Sequence, residues 1–171
     1  MKIILTGSTS PIGKVLLKHL SKKHTVTEIS REAGWDLIKF DDQESLVKLT
    51  SSADVFINLA HIDYVQGMLL QRSYAKINIS FTSLITQFPW SLMKQLSDPE
   101  YIAQKLFLEY VHKELLNSAL ISVSSYGKGI IPSVTDKQLC NAIDEVIEGR
   151  SILPTRTEVS NGLGDLSLRP S

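Results

Sequence analysis

Met1-Lys-Ile-Ile-Leu-Thr-Gly-Ser-Thr-Ser-Pro-Ile-Gly13 decides how the rest of the chain is read. A short apolar run, Ile3 to Leu5, ends in Thr6-Gly7, and Gly13 opens the amphipathic stretch Lys14 to Leu20. The pattern is strand, tight glycine turn, helix. Such a turn aims backbone N–H groups and the positive end of a helix dipole at one point, which suits a pyrophosphate. The glycines carry weight because a strand precedes them and a helix follows.

The chain has 171 residues, of which 43% are hydrophobic, enough for one domain with a real core. Eighteen basic residues balance eighteen acidic ones. No basic stripe is present, which argues against nucleic acid as the main partner. Uninterrupted apolar runs are short, so no segment reads as membrane-spanning. One lysine and then a strand occupy the N-terminus, without the apolar region of a secretion signal. The single Cys140 excludes an internal disulfide and fits a reducing, cytoplasmic location.

Outward from the first turn, apolar runs and helical patterns alternate. Ile3 to Leu5, Thr25 to Ser30, Leu37 to Phe40, Asp54 to Ala60, Lys76 to Phe81 and Ala119 to Val123 read as strands. Ile12 to Lys22, Asp42 to Thr50 with Asp41 as cap, Tyr64 to Tyr74, Pro99 to Asn117 and Asp136 to Glu148 read as helices. Asp54-Val-Phe-Ile-Asn-Leu-Ala60 is nearly all apolar, as expected of a strand covered on both faces. The alternation predicts an α/β, Rossmann-like, doubly wound parallel sheet flanked by helices. Residues 1–154 form the expected nucleotide-binding domain. Residues 155–171, rich in Ser, Thr, Gly and Asn, read as an irregular tail. Ligands of such sheets bind beyond the carboxyl ends of the strands.

Tyr101-Ile-Ala-Gln-Lys105 sets a phenol and an ammonium on one face of the longest helix. A neighbouring cation lowers a phenol pKa, so the pair is a candidate acid/base couple; a solvated helix face accounts for the same spacing. The order of glycine turn, apolar Asp-to-His strand and Tyr-x-x-x-Lys helix resembles the short-chain dehydrogenase/reductase superfamily. The likeness is to its extended branch of nucleotide-sugar epimerases, dehydratases and reductases, including dTDP-4-dehydrorhamnose reductase-like proteins. The family turn is Thr-Gly-x-x-Gly-x-Ile-Gly; here it is Thr6-Gly7-Ser8-Thr9-Ser10-Pro11-Ile12-Gly13, with Ser10 in place of the middle glycine. Trp35-Asp36-Leu37 resembles the pair that contacts adenine, and Asp54 to Ala60 the strand that ends beneath the nicotinamide ribose. Pro99 to Glu109 resembles the active-site helix, and Val123 to Pro132 the segment leaving the next strand. The likeness covers roughly residues 1 to 155, with the Asn58-to-Lys76 connection shortened.

The resemblance implies an NAD(P)-dependent oxidoreductase or epimerase acting on a carbonyl or hydroxyl carbon, with a nucleotide-sugar or related carbohydrate as substrate. Tyr101 then exchanges the proton, Lys105 holds the cofactor ribose and lowers the phenol pKa, and Thr82 orients the substrate oxygen, with Ser83 and Ser80 behind it. Gly7, Ser8, Thr9, Ser10, Ile12, Gly13, Arg31, Asp36, Leu37, Leu59, Ala60 and His61 form the implied cofactor cradle. A cation at Arg31 meets the 2′-phosphate of NADP, where an acid would favour NAD. A homodimer through the long helix is also implied. Four histidines without a Cys or acidic cluster at ligand spacing make no metal site. Asp144, Glu145 and Glu148 read as a solvated helix face. The competing reading is a catalytically inactive nucleotide-binding or scaffolding protein that retains the fold, suggested by Ser10 and the shortened connection.

Overall fold

A computed structural model describes residues 1–124 and 134–160. Six parallel strands form one sheet: β1 (Lys2–Thr6), β2 (Thr25–Ile29), β3 (Val55–Asn58), β4 (Ile77–Ser83), β5 (Ser118–Val123) and β6 (Thr155–Val159). Their order is β2-β1-β3-β4-β5-β6. The chain therefore steps outward from β1 to β2, returns, and continues on the other side of β1. This reversal opens a crevice between the carboxyl ends of β1 and β3. Thr6 pins it: its hydroxyl oxygen accepts from the amides of Leu59 at 3.0 Å and Ala60 at 3.1 Å.

The helices are α1 (Pro11–Leu20), α2 (Phe40–Thr50), α3 (Val65–Arg72), α4 (Trp90–Leu96), α5 (Pro99–Lys113) and α6 (Asp136–Ile147), with a 3-10 turn at Leu84–Gln87. Side-chain caps start three of them. Ser10 accepts from Gly13 N, Asp98 from Glu100 N, and Thr135 with Gln138 forms a reciprocal capping box. Pro11 and Pro99 occupy first turns, where a missing N–H costs nothing.

Alternating strand residues divide the core. Ile3, Leu5, Val55, Ile57, Ile79, Phe81, Ala119 and Ile121 pack with α1 and α6. Ile4 and Phe56 pack with α2 and α3, and Leu120 with Leu70, Leu108 and Val111 of α3 and α5. His19 and Asp144, 2.9 Å apart, tie α1 to α6, so Asp144 is a paired, half-buried residue and not part of a solvated face.

Four further expectations are corrected. Leu37 to Phe40 is not a strand. Leu37 is buried, its carbonyl accepts from Gln43 Nε2, and the segment turns directly into α2. Lys39 stands at the helix cap, which leaves Asp41 inside the first turn, where an acid still favours the dipole. The tail is not irregular from residue 155, because Thr155–Val159 pairs with β5 as the edge strand. Expected features at residues 125–132 and 161–171 lie outside the described residues. The longest helix stops at Lys113, short of Asn117, whose side chain donates to Ala75 and Lys76 carbonyls as the chain enters β5. No described helix is long and apolar enough to cross a membrane.

Gly13 lets α1 close on the end of β1. A Cβ there would stand 2.1 Å from the Gly7 carbonyl oxygen and 2.8 Å from Ser8 Cα, both backbone atoms that cannot swing aside. Since a helical alanine is otherwise preferred over glycine, Gly13→Ala isolates this contact. Chemical denaturation should show a loss of about 2 kcal/mol or more, the scale of overpacking. A neutral or stabilising effect would mean that α1 and the turn are not so closely packed.

Candidate active site

Two clefts flank the glycine turn. One, of about 320 Å³, is lined by Gly7, Thr9, Ile29, Ser30, Arg31, Trp35, Leu37, Ala60, His61 and Ile62. The other, of about 330 Å³, is lined by Ile12, Leu59, Phe81, Thr82, Ser83, Tyr101, Lys105, Val123 and Ser124. Consecutive residues split between them: Leu59 faces the second and Ala60 the first. The switch point thus carries an apolar and cationic half beside a half bearing hydroxyls and an amine.

The turn itself is built from backbone. Gly7 adopts φ +71°, a conformation that L side chains rarely take, and a Cβ there would stand 3.0 Å from Ala60 N. Ser10 donates its hydroxyl to Gly7 O at 2.8 Å and accepts from Gly13 N at 3.0 Å. Lys14 N bonds to Ser10 O. Pro11 has no N–H. Of the first-turn amides of α1, that of Ile12 is left without a partner among the described residues. The positive end of α1 is therefore present, but Ser10 uses an amide that a smaller residue would leave open. Ser8 is buried beneath the turn.

The second cleft gathers Thr82, Ser83, Tyr101 and Lys105. Tyr101 lies over the cleft with its ring edge-to-face to His61, centroids 5.0 Å apart. Burial raises the Tyr101 phenol pKa above its usual value, and a hydrogen bond with Ser83 pulls it the other way. The expectation that Lys105 lowers the phenol is not met. The Lys105 amine sits 5.6 Å from the Tyr101 ring centroid, over its face, and donates to Gln66 Oε1 at 2.9 Å. Only 5% of Lys105 is exposed, and this burial brings its own pKa down to about 8. Burial and the Lys105 charge likewise lower His61. Thr82 Oγ1 is buried without a partner among the described residues, and Ser80 lies deeper still.

On the other side, Arg31, Trp35 and Leu37 reach the first cleft. Asp36 does not line it. Its carboxylate accepts from Ile38 N within its own loop and lies 4.0 Å from Lys39. Gln66, Asn58 and Ile62 also belong to this region, although no motif in the sequence marks them. Gln66 carried one signal: an amide in the buried stripe that also holds Leu69 and Leu70. Among the described residues, no three His, Cys, Asp or Glu side chains group as metal ligands would.

No protein-family model and no curated protein matches the sequence. The fold is nonetheless that of solved short-chain dehydrogenases/reductases. The 3-alpha-hydroxysteroid dehydrogenase of Pseudomonas sp. B-0831, solved with NADH, is 14% identical with a TM-score of 0.72, over 95% of this chain and 96% of that one. A dTDP-4-dehydrorhamnose reductase of Clostridium acetobutylicum is 15% identical with a TM-score of 0.71, over 94% and 74%. A wide-type short-chain dehydrogenase/reductase of Veillonella parvula, solved with NADP, is 15% identical with a TM-score of 0.66, over 94% of both chains.

The buried amine gives a signed pH dependence. Lys105 binds its proton less tightly folded (about 8) than unfolded (10.5). Between these values the unfolded chain holds more protons, so this group's contribution to stability rises with pH. The unfolding free energy of the native protein minus that of Lys105→Met should therefore increase from pH 8 to 10.5. A flat difference would mean that the amine is not desolvated.

Proposed function

We propose that this chain is an NAD(P)-dependent oxidoreductase or epimerase acting on a carbonyl or hydroxyl carbon, with a nucleotide-sugar or related carbohydrate as the substrate class. The observation that carries this reading is the pair of clefts around Gly7, with Ser83, Tyr101 and Lys105 together in the second. A dinucleotide fits that division. Trp35, Leu37 and Ile62 offer an apolar seat for a base, Arg31 a cation for a phosphate, and the Ile12 amide with the α1 dipole a site for the diphosphate. When bound, the nicotinamide supplies or accepts the hydride.

The chain's own groups manage the oxygen. Tyr101, with its pKa raised, stays protonated near neutrality and serves as donor to a carbonyl oxygen. Ser83, which lines the same cleft as the phenol, steadies that oxygen, with Thr82 beside it. Lys105 presents an ammonium to the ribose hydroxyls. Exposed Leu106 and Tyr110 on α5, with Met68 on α3, leave an apolar outer face in keeping with a homodimer through these helices.

One observation favours the alternative of a non-catalytic nucleotide-binding or scaffolding protein: Ser10 occupies the Gly13 amide and Pro11 lacks one. Tyr101→Phe separates the two. Under the catalytic reading it lowers turnover by about 10²-fold or more while cofactor affinity holds. Unchanged turnover would remove the phenol from the chemistry. Arg31→Glu should lower the preference for NADPH over NADH by about tenfold or more, the loss of one charge-assisted contact. An unchanged ratio would exclude Arg31 from cofactor choice.

A further inference from the structure

Gln66 stands in the first turn of α3 and is 2% exposed. Its Nε2 donates to the carbonyls of Asn58 at 2.8 Å and Phe81 at 3.1 Å. Its Oε1 accepts from Lys105 at 2.9 Å. Asn58 Nδ2 answers with a bond to the Gln66 carbonyl at 2.7 Å. Both N–H groups of the amide are thus committed to carbonyl oxygens. Turning the amide over would set oxygen against two oxygens and NH2 against an ammonium, so only one orientation is tenable. Gly67 makes the approach of α3 to α5 close enough: a Cβ there would meet the Phe107 ring at 2.6 Å.

We propose that Gln66 is a positioning residue that bridges the ends of β3 and β4 and fixes the Lys105 amine at the floor of the second cleft. An ammonium has three donors. Gln66 takes one, and the others remain for the two ribose hydroxyls, a consequence that rests on the oxidoreductase reading. Because the amide oxygen favours the charged amine, Gln66 also sets the pH at which Lys105 loses its proton. The titratable and charged groups around that amine are Tyr101 and Glu109 one turn either side on α5, and His61 and Asp63 in the β3–α3 connection. Glu109 is engaged by Arg156 and Thr86. No residue of β3, β4 or β5 is titratable, and neither is any residue in the first turn of α3, Val65 to Met68; Tyr64, at the cap of that helix, packs edge-to-face on Phe107 of α5.

Two substitutions of similar length move the amine in opposite directions. Gln66→Met removes the acceptor and should lower the titration midpoint of Lys105. Gln66→Glu adds a negative charge and should raise it by about one pH unit or more. The carbon-13 Cε resonance of Lys105 in lysine-labelled protein, assigned with Lys105→Arg, reads the midpoint directly. A merely structural tie would leave both midpoints in place or move both the same way, and either result overturns the proposal. Thermal melts establish that each variant is folded. Should the carboxylate opposite two carbonyls prevent folding, Gln66→Met decides alone: a lower midpoint supports the proposal and an unchanged one overturns it. NADPH fluorescence on the unsubstituted protein keeps the two readings apart. Absence of binding defeats the oxidoreductase reading, while the lysine titration still decides the role of Gln66.

Discussion

The approach of α1 to the end of β1 is the constraint on which the rest depends. Gly13 packs against the backbone of Gly7 and Ser8 with no room for a methyl group. That contact fixes the direction of the helix, and with it the dipole and the Ile12 amide, which has no partner among the described residues. The Thr6 hydroxyl fastens the end of β3 alongside. Both clefts take a wall from this junction: Gly7 and Ala60 on one side, Ile12 and Leu59 on the other. A looser junction would merge or misalign them.

The second cleft is expensive to maintain. An amine at 5% exposure is desolvated, and burial alone lowers its pKa to about 8. Domains that gain only stability from such a position would fill it with a hydrocarbon. Here the amine is instead held by a glutamine whose own donors are both spent on strand carbonyls. A desolvated amine at the carboxyl ends of parallel strands fits the proposed binding or catalytic role better than a structural one.

Much of this was legible in the sequence, and the exceptions have physical causes. Strands β1, β3, β4 and β5 are buried on both faces, so their apolar runs stand out. The edge strand β6 alternates Arg156 and Glu158 with half-buried threonines, a pattern that resembles a polar loop. Leu37 to Phe40 misled because one leucine is buried while Ile38 and Phe40 are 62% and 66% exposed. The short helix α4, with Trp90 and Leu96 exposed, gave no clear apolar stripe. Tyr101 and Lys105 were found by spacing, but spacing does not show depth. Lys105 lies over the phenol ring with its charge directed to Gln66, and burial governs the phenol instead. That distinction depends on α3 packing against α5, which residues far apart in the chain decide together.

One dinucleotide is proposed to span both clefts across the Gly7 turn. Backbone amide resonances followed during titration with NADPH test it most directly. The amides of Arg31 and Trp35 on one side, Gly7 and Ile12 at the centre, and Ser83 and Tyr101 on the other should shift together with a single affinity. Shifts confined to one cleft, or none at Gly7 and Ile12, would contradict it.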